Sequence, residues 1–220
     1  MAVDVGPAAT PSPTQLTRRG ALAESIGLTW DRVAVAGAVH GSTVGMVTNR
    51  FGLIEGCDGL FTDRVGVGLF AVYADCYPIV LRAPGAVGLA HAGWRGSLAG
   101  ISIRLVEALS AMTGTDPGAL SAEIGPGICQ KCYQVGPEFA ATFPAEALAE
   151  REGGLFLDLA QANVLQLLGA GLRPEEITVD PRCTFESSDL PSHRRTGDAT
   201  RLGILVAVKP RVTRIRAPFE

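Results

Sequence analysis

Three side chains far apart in the chain share one chemical capacity. His40 lies in AVHGS, Cys76 in ADCYP and His91 in AHAGW. Imidazole nitrogen and thiolate sulfur are donors for borderline and soft metal ions such as zinc. Spacing alone does not make these residues a site, because a lone buried cysteine more often serves as a small hydrophobe. Their context carries more weight. His40 and Cys76 each follow an apolar run that reads as a strand, and His91 precedes a glycine turn. Such ends commonly bring side chains of distant segments together. Three ligands of this kind would leave the fourth position of a tetrahedral ion open, which makes a site reactive rather than structural.

Polar residues flank the three. Asp75 precedes Cys76 and can orient a ligand or take a proton; Ser42 follows His40 in a turn; Arg95 sits between Trp94 and Gly96, shortly after His91. Leu98, Ile101, Leu105, Leu109 and Met112 recur at intervals of three or four, which predicts an amphipathic helix from Ser97 to a stop at Gly114. The free amides of its first turn, at Ser97, would point towards the three ligands and offer a seat for an anion. Arg194 and Arg195 read either as a solvated surface pair or as an arginine fork for phosphate or carboxylate.

The elements that would position these groups follow from hydrophobic pattern and punctuation. VAVAG (33–37) reads as a strand delivering the chain to His40, and the apolar run 65–73 as a buried strand ending at Asp75 and Cys76. Runs 78–82 and 86–91, separated by Ala-Pro-Gly, predict a hairpin. Short strands are expected at 121–124, 177–180 and 202–208. A helix closed by Gly27 is expected early in the chain, and another over 159–170, opened by Asp158 with Gln161 and closed by Gly171. GCDGLFTD (56–63) reads as a turn, 124–136 as an ordered loop, and the stretch around Pro144 as interrupted helix.

With 220 residues, 47% hydrophobic and 19% charged, the chain has the profile of one large globular domain. A net charge of −3 without basic runs excludes a general positive field for nucleic acid. Residues 1–14 are small and proline-rich, lack the pattern of a secretory signal, and are expected to form a flexible tail. No run approaches the roughly 18 apolar residues of a membrane span, so no membrane partner and a cytoplasmic location are expected. Five cysteines, an odd number, suit reduced thiols better than a disulfide framework. Cys129 and Cys132 have C-x-x-C spacing, but a zinc ribbon needs a second such pair and a redox motif needs a helix start. A structural loop role is the stronger reading.

VHG (39–41), DGLFTD (58–63), ADCYPIVL (74–81), AHAGWRG (90–96), IGPGICQKCYQVG (124–136) and SHRRTGDATRLGILVAV (192–208) occur in the order and spacing of the laccase-domain family. Members of that family have been called multicopper polyphenol oxidases, purine nucleoside phosphorylases and peptidoglycan editing factors. The resemblance covers residues 30–208 or so. It implies an α/β fold, a mixed α+β single-domain sandwich of mixed β-sheets with flanking helices, related to cysteine hydrolases. The family domain would then span 15–210, followed by a short C-terminal tail, 211–220. The resemblance also implies a zinc site at His40, Cys76 and His91, with Asp75, Arg95, Arg194 and Arg195 matching the family's motif residues. Ala38 stands where a glutamine commonly precedes VHG, and TGD where TGR is usual.

Chemistry decides among the family's names. A multicopper oxidase needs several imidazole-rich copper sites, and this chain has three histidines in all. One copper ion could still find ligands, but not a cluster. A single zinc ion with an open position fits the purine nucleoside activity that the resemblance implies: phosphorolysis of adenosine or inosine, with deamination of adenosine on the same site. Its small-molecule partners would be a nucleoside and phosphate, the anion held by Ser42, Arg95, Ser97, Arg194 or Arg195. Two alternatives stand beside it. One is a hydrolase using Cys76 as nucleophile on a peptidoglycan precursor peptide; the other is a degenerate member that binds a ligand without turnover.

Overall fold

The computed structural model describes residues 4–208, so the expected tail 211–220 lies outside the described residues. In chain order the elements begin with α1 (Pro13–Glu24), β1 (Val33–Gly37), β2 (Val44–Met46), β3 (Gly52–Glu55) and β4 (Gly59–Thr62). There follow β5 (Gly68–Tyr73), β6 (Tyr77–Ala83), β7 (Ala86–Ala92), α2 (Trp94–Leu98), α3 (Ile101–Thr113) and β8 (Ser121–Ile124). The remainder comprises β9 (Gln134–Val135), β10 (Leu148–Arg151), β11 (Gly154–Leu157), α4 (Leu159–Gly169), β12 (Ile177–Val179), α5 (His193–Thr196) and β13 (Leu202–Ala207).

The strands form two principal mixed sheets, in the orders β13-β5-β1-β3 and β12-β8-β6-β7-β4-β2. Their facing sides share one apolar layer, in which Ala34, Leu69, Ala71 and Tyr73 of the smaller sheet meet Leu60, Val80, Val87 and Leu89 of the larger. The alternate residues point outward. Val33, Val35 and Phe70 pack under α1, while Ile79, Leu81 and Ala90 pack against Ile101, Leu105 and Leu109 of α3 and Leu159 and Leu167 of α4. The result is an α–β–β–α sandwich. Because β5 and β7 are covered on both faces, they read in the sequence as continuous apolar runs rather than alternating ones. No helix among the described residues is long and apolar enough to cross a membrane.

Several expectations change. The segment 59–62 is not a turn but a fully buried strand, pairing antiparallel with β7 and parallel with β2. Its glycine and aspartate neighbours mask it in the sequence. The stretch around Pro144 is short 3-10 turns leading into the hairpin β10–β11, which with β9 makes a third small sheet. The helix expected from Ser97 starts earlier, at Trp94, and is broken by Gly100 in the left-handed region at φ 78°.

Residues 4–8, expected as loose tail, are tied down. Val5 is buried, and its amide donates to Arg201 O at 3.0 Å. Arg19 of α1, only 2% exposed, donates to the carbonyls of Val5, Gly6, Pro7 and Ala8 and lies 5.2 Å from the Phe70 ring centroid. A buried guanidinium needs such acceptors. Meanwhile Leu16 and Ile26, whose spacing marks this helix in the sequence, are exposed.

Candidate metal centre and active site

Each of the three candidate ligand residues is set by the end of a strand. The chain leaves β1 and reaches His40 at φ 62°, and it leaves β5 and reaches Asp75 at φ 78°, directly before Cys76. Among the described non-glycine residues, positive φ is confined to these two. That conformation costs about 1–3 kcal/mol and concentrates at functional sites; His and Asp are among the residues that tolerate it. His91 sits near the end of β7, opposite Pro78 of β6. One ligand atom from each of His40, Cys76 and His91 lies within 4.8 Å of the others.

The His91 ring is the most constrained. Its Nδ1 lies 3.1 Å from Val72 O. A carbonyl only accepts, so Nδ1 carries the proton and Nε2 keeps the lone pair. Nε2 is buried and has no hydrogen-bond partner among the described residues, an arrangement that a metal ion would satisfy. Tyr73 stacks on the imidazole at 5.0 Å, and the His40 ring meets it edge-on at 5.2 Å. Burial, reinforced by His40, pulls the His91 pKa down to about 4, so the ring is neutral near pH 7 and able to ligate. A Cβ on Gly93 would stand 2.9 Å from Cys76 Sγ and 3.0 Å from His40 Cδ2, so only glycine lets the chain entering α2 pass this close to the two side chains.

Cys76 Sγ is a weak nucleophile in these surroundings. Burial, with the Asp75 carboxylate next to it, pushes the thiol up to about 12. A divalent cation would offset both effects, since a coordinating thiol is deprotonated. The donor set, the unpartnered Nε2 and the space left by Gly93 therefore fit a zinc ion.

His40, Cys76 and His91 line one side of a cavity of about 440 Å3, within the size range of small-molecule sites. Small residues, Ala36, Ala38 and Ala74, leave it open, and Ile128, Tyr133 and Leu159 give it an apolar and aromatic wall. Arg194, Arg201 and His193 add positive or titratable groups, and Pro7 and Ala8 complete the lining. Asp75 is fixed within the wall: Thr184 Oγ1 donates to Oδ1 at 2.7 Å and the Arg194 amide to Oδ2 at 2.7 Å. The Arg194 guanidinium lies 5.2 Å from the Tyr133 ring centroid and donates to Gln134 O.

Other residues singled out in the sequence are placed elsewhere. Arg195 donates to the carbonyls of Thr184, Phe185, Ser187 and Leu190, so it holds a loop together and is not free for an anion. Ser97 is buried; its amide donates to Gly93 O and its hydroxyl to Asn163 Oδ1, which removes the expected anion seat. Arg95 is exposed and lies over Trp94 at 4.3 Å, and neither it nor the half-buried Ser42 lines the cavity. Conversely, Tyr133, Arg201, Pro7 and Thr184 reach the site through long-range packing. Asp58 also escaped notice as a positioning residue: its Oδ1 accepts from the Val39 amide at 3.0 Å and its carbonyl from the His91 amide at 2.7 Å. Its place at the head of DGLFTD is the one signal that could have found it.

Known proteins share this architecture. The chain is 41% identical over 196 residues to the purine nucleoside phosphorylase of Deinococcus radiodurans, covering 86% of this chain and 74% of that protein. The solved structure of YlmD from Geobacillus stearothermophilus superposes with a TM-score of 0.84 at 34% identity, over 94% of this chain and 85% of that one. Adenosine deaminase RL5, from an unknown prokaryotic organism, is 31% identical over 83% of this chain and 77% of its own length. Residues 11–209 match the family described as multi-copper polyphenol oxidoreductase laccase. By fold, motif order and this match, the chain belongs to that laccase-domain family.

Proposed function

We propose that the chain is a zinc-dependent purine nucleoside phosphorylase that also deaminates adenosine. The observation that carries the reading is the unpartnered, buried Nε2 of His91, facing Cys76 and His40 at the wall of an open cavity. His40, Cys76 and His91 would hold the ion, and the chemistry it supplies when bound is Lewis-acid polarisation of a substrate atom. The relatives named as a nucleoside phosphorylase and an adenosine deaminase support the substrate class.

The remaining roles belong to the chain itself. Tyr133, Ile128 and Leu159 offer a flat apolar wall for a purine base. Burial pushes the Tyr133 hydroxyl up to about 12, so it stays protonated and can donate to a ring nitrogen as the bond to the sugar breaks. Arg194 and Arg201 supply positive charge on the cavity lining for phosphate. Asp75, with both oxygens engaged, orients Arg194 rather than serving as a free base.

The competing names fit less well. A multicopper cluster needs many imidazoles, whereas the chain has three histidines, and His193 is absent from the group formed by His40, Cys76 and His91. A cysteine hydrolase needs an activated thiolate, and burial drives Cys76 in the opposite direction. The test is incubation of the purified protein with adenosine or inosine and phosphate, following free base, inosine and ribose 1-phosphate. Turnover that requires zinc is expected. No turnover in a protein with a full zinc complement at His40, Cys76 and His91 would contradict the reading.

A further inference from the structure

A second cluster of ligand atoms lies outside the catalytic group, at residues the proposed activity does not use. Cys129, Cys132 and Cys183 bring their sulfurs within 4.8 Å of one another. Around a tetrahedral zinc ion, Zn–S bonds of about 2.3 Å place sulfurs about 3.8 Å apart, so little movement separates this cluster from a bound state. Glu186 Oε1 stands 3.7 Å from Cys132 Sγ. We propose that Cys129, Cys132 and Cys183 form a second metal site, with Glu186 as fourth donor, that takes a borderline divalent cation of the zinc class.

Backbone geometry prepares the site. The C-x-x-C segment is a tight turn in which the amides of Cys132 and Tyr133 donate to Cys129 O at 3.0 and 3.1 Å. The second loop is fixed by Thr184 N donating to Gly127 O at 3.0 Å and Ser187 N to Cys183 O at 2.9 Å. The Cys129 amide donates to Cys183 Sγ at 3.3 Å. An amide donor on this sulfur favours its thiolate, the form that binds metal. Cys183 is buried while Cys129 and Cys132 are half-buried, which leaves a route for the ion. All three are free thiols.

The site would have a structural use. One loop carries Ile128 and Tyr133 into the catalytic cavity, and the other carries Thr184 to Asp75. An ion held by three thiolates and a carboxylate would fasten these loops together with no position left open, as in structural zinc sites.

The test uses the full chain, reduced and stripped by a chelator, then alkylated with iodoacetamide with and without zinc chloride, each cysteine being read separately by peptide mass. Zinc should slow alkylation of Cys129 and Cys132 at least tenfold, equally in the wild type and in His91→Ala, and Cys183→Ser should abolish that protection. Equal rates with and without zinc, protection that survives Cys183→Ser, or a Cys129–Cys132 disulfide in the purified protein would overturn the proposal. Cys76 appears on its own peptide, so failure of the catalytic site would be seen separately.

Discussion

The group His40, Cys76 and His91 and the group Cys129, Cys132 and Cys183 each gather three ligand atoms within 4.8 Å, on different parts of the fold. The first hangs from the ends of β1, β5 and β7, mixes nitrogen with sulfur, and opens on a cavity. The second is all sulfur, sits on two loops, and has a carboxylate close by. A reactive ion needs ligands that the sheets hold and a position left free. A structural ion can supply rigidity that loops lack. The two proposed sites would thus use one residue type in two ways: Cys76 follows a strained backbone position beside a substrate-sized space, while Cys129 and Cys132 lie on their own tight turn.

Substitutions should separate the two groups. The largest effect is expected for Cys76→Ala, which removes a ligand of the open site. Phosphorolysis should fall on the order of a thousandfold in kcat/KM, with the zinc-dependent protection of Cys129 and Cys132 unchanged. Retained activity would place the chemistry elsewhere.

Acid stability should report on the first group in the metal-free protein. The His91 pKa is lowered from 6.5 to about 4 by burial and then by His40, so the unfolded chain binds the extra proton first. The stability this contributes is present above about pH 6.5 and lost as pH falls towards about 4, reaching roughly 3 kcal/mol. Unfolding midpoints across that range would show the loss, and His91→Phe should flatten it. An equal slope in that variant would assign the effect to other groups.

Gly93→Ala pushes a methyl group between Cys76 Sγ and His40 Cδ2. Zinc affinity at the open site should fall by about 10–100-fold, measured by competition with a chromophoric chelator. Smaller again is Thr184→Val, which takes one hydrogen bond from Asp75. About a tenfold loss in kcat/KM is expected with zinc content unchanged; a loss of zinc instead would show that Thr184 supports the ligands and not the substrate wall.

Much of the first group was legible in the sequence because its residues end runs of strong local character. VAVAG before His40 and the apolar run before Asp75 and Cys76 declare buried strands. The helix over 159–169 was equally readable, since Asp158 caps the Gln161 amide at 2.8 Å. What escaped depends on pairing across distance. β4 carries glycine and aspartate beside it and becomes a strand only because β7 and β2 supply its hydrogen bonds. Arg194 and Arg195 are adjacent in sequence, yet one lines the cavity and the other is consumed by four loop carbonyls. The partner of the C-x-x-C pair, Cys183, is 54 positions from Cys129, and no local pattern links them.

The measurement that tests the central claim most directly is phosphate-dependent release of ribose 1-phosphate from inosine, with zinc content determined on the same samples of wild type and His91→Ala. The wild type should bind zinc at the open site and turn over, and His91→Ala should lose that ion together with activity. Undiminished turnover in His91→Ala, or no turnover in a fully zinc-loaded wild type, would contradict the account.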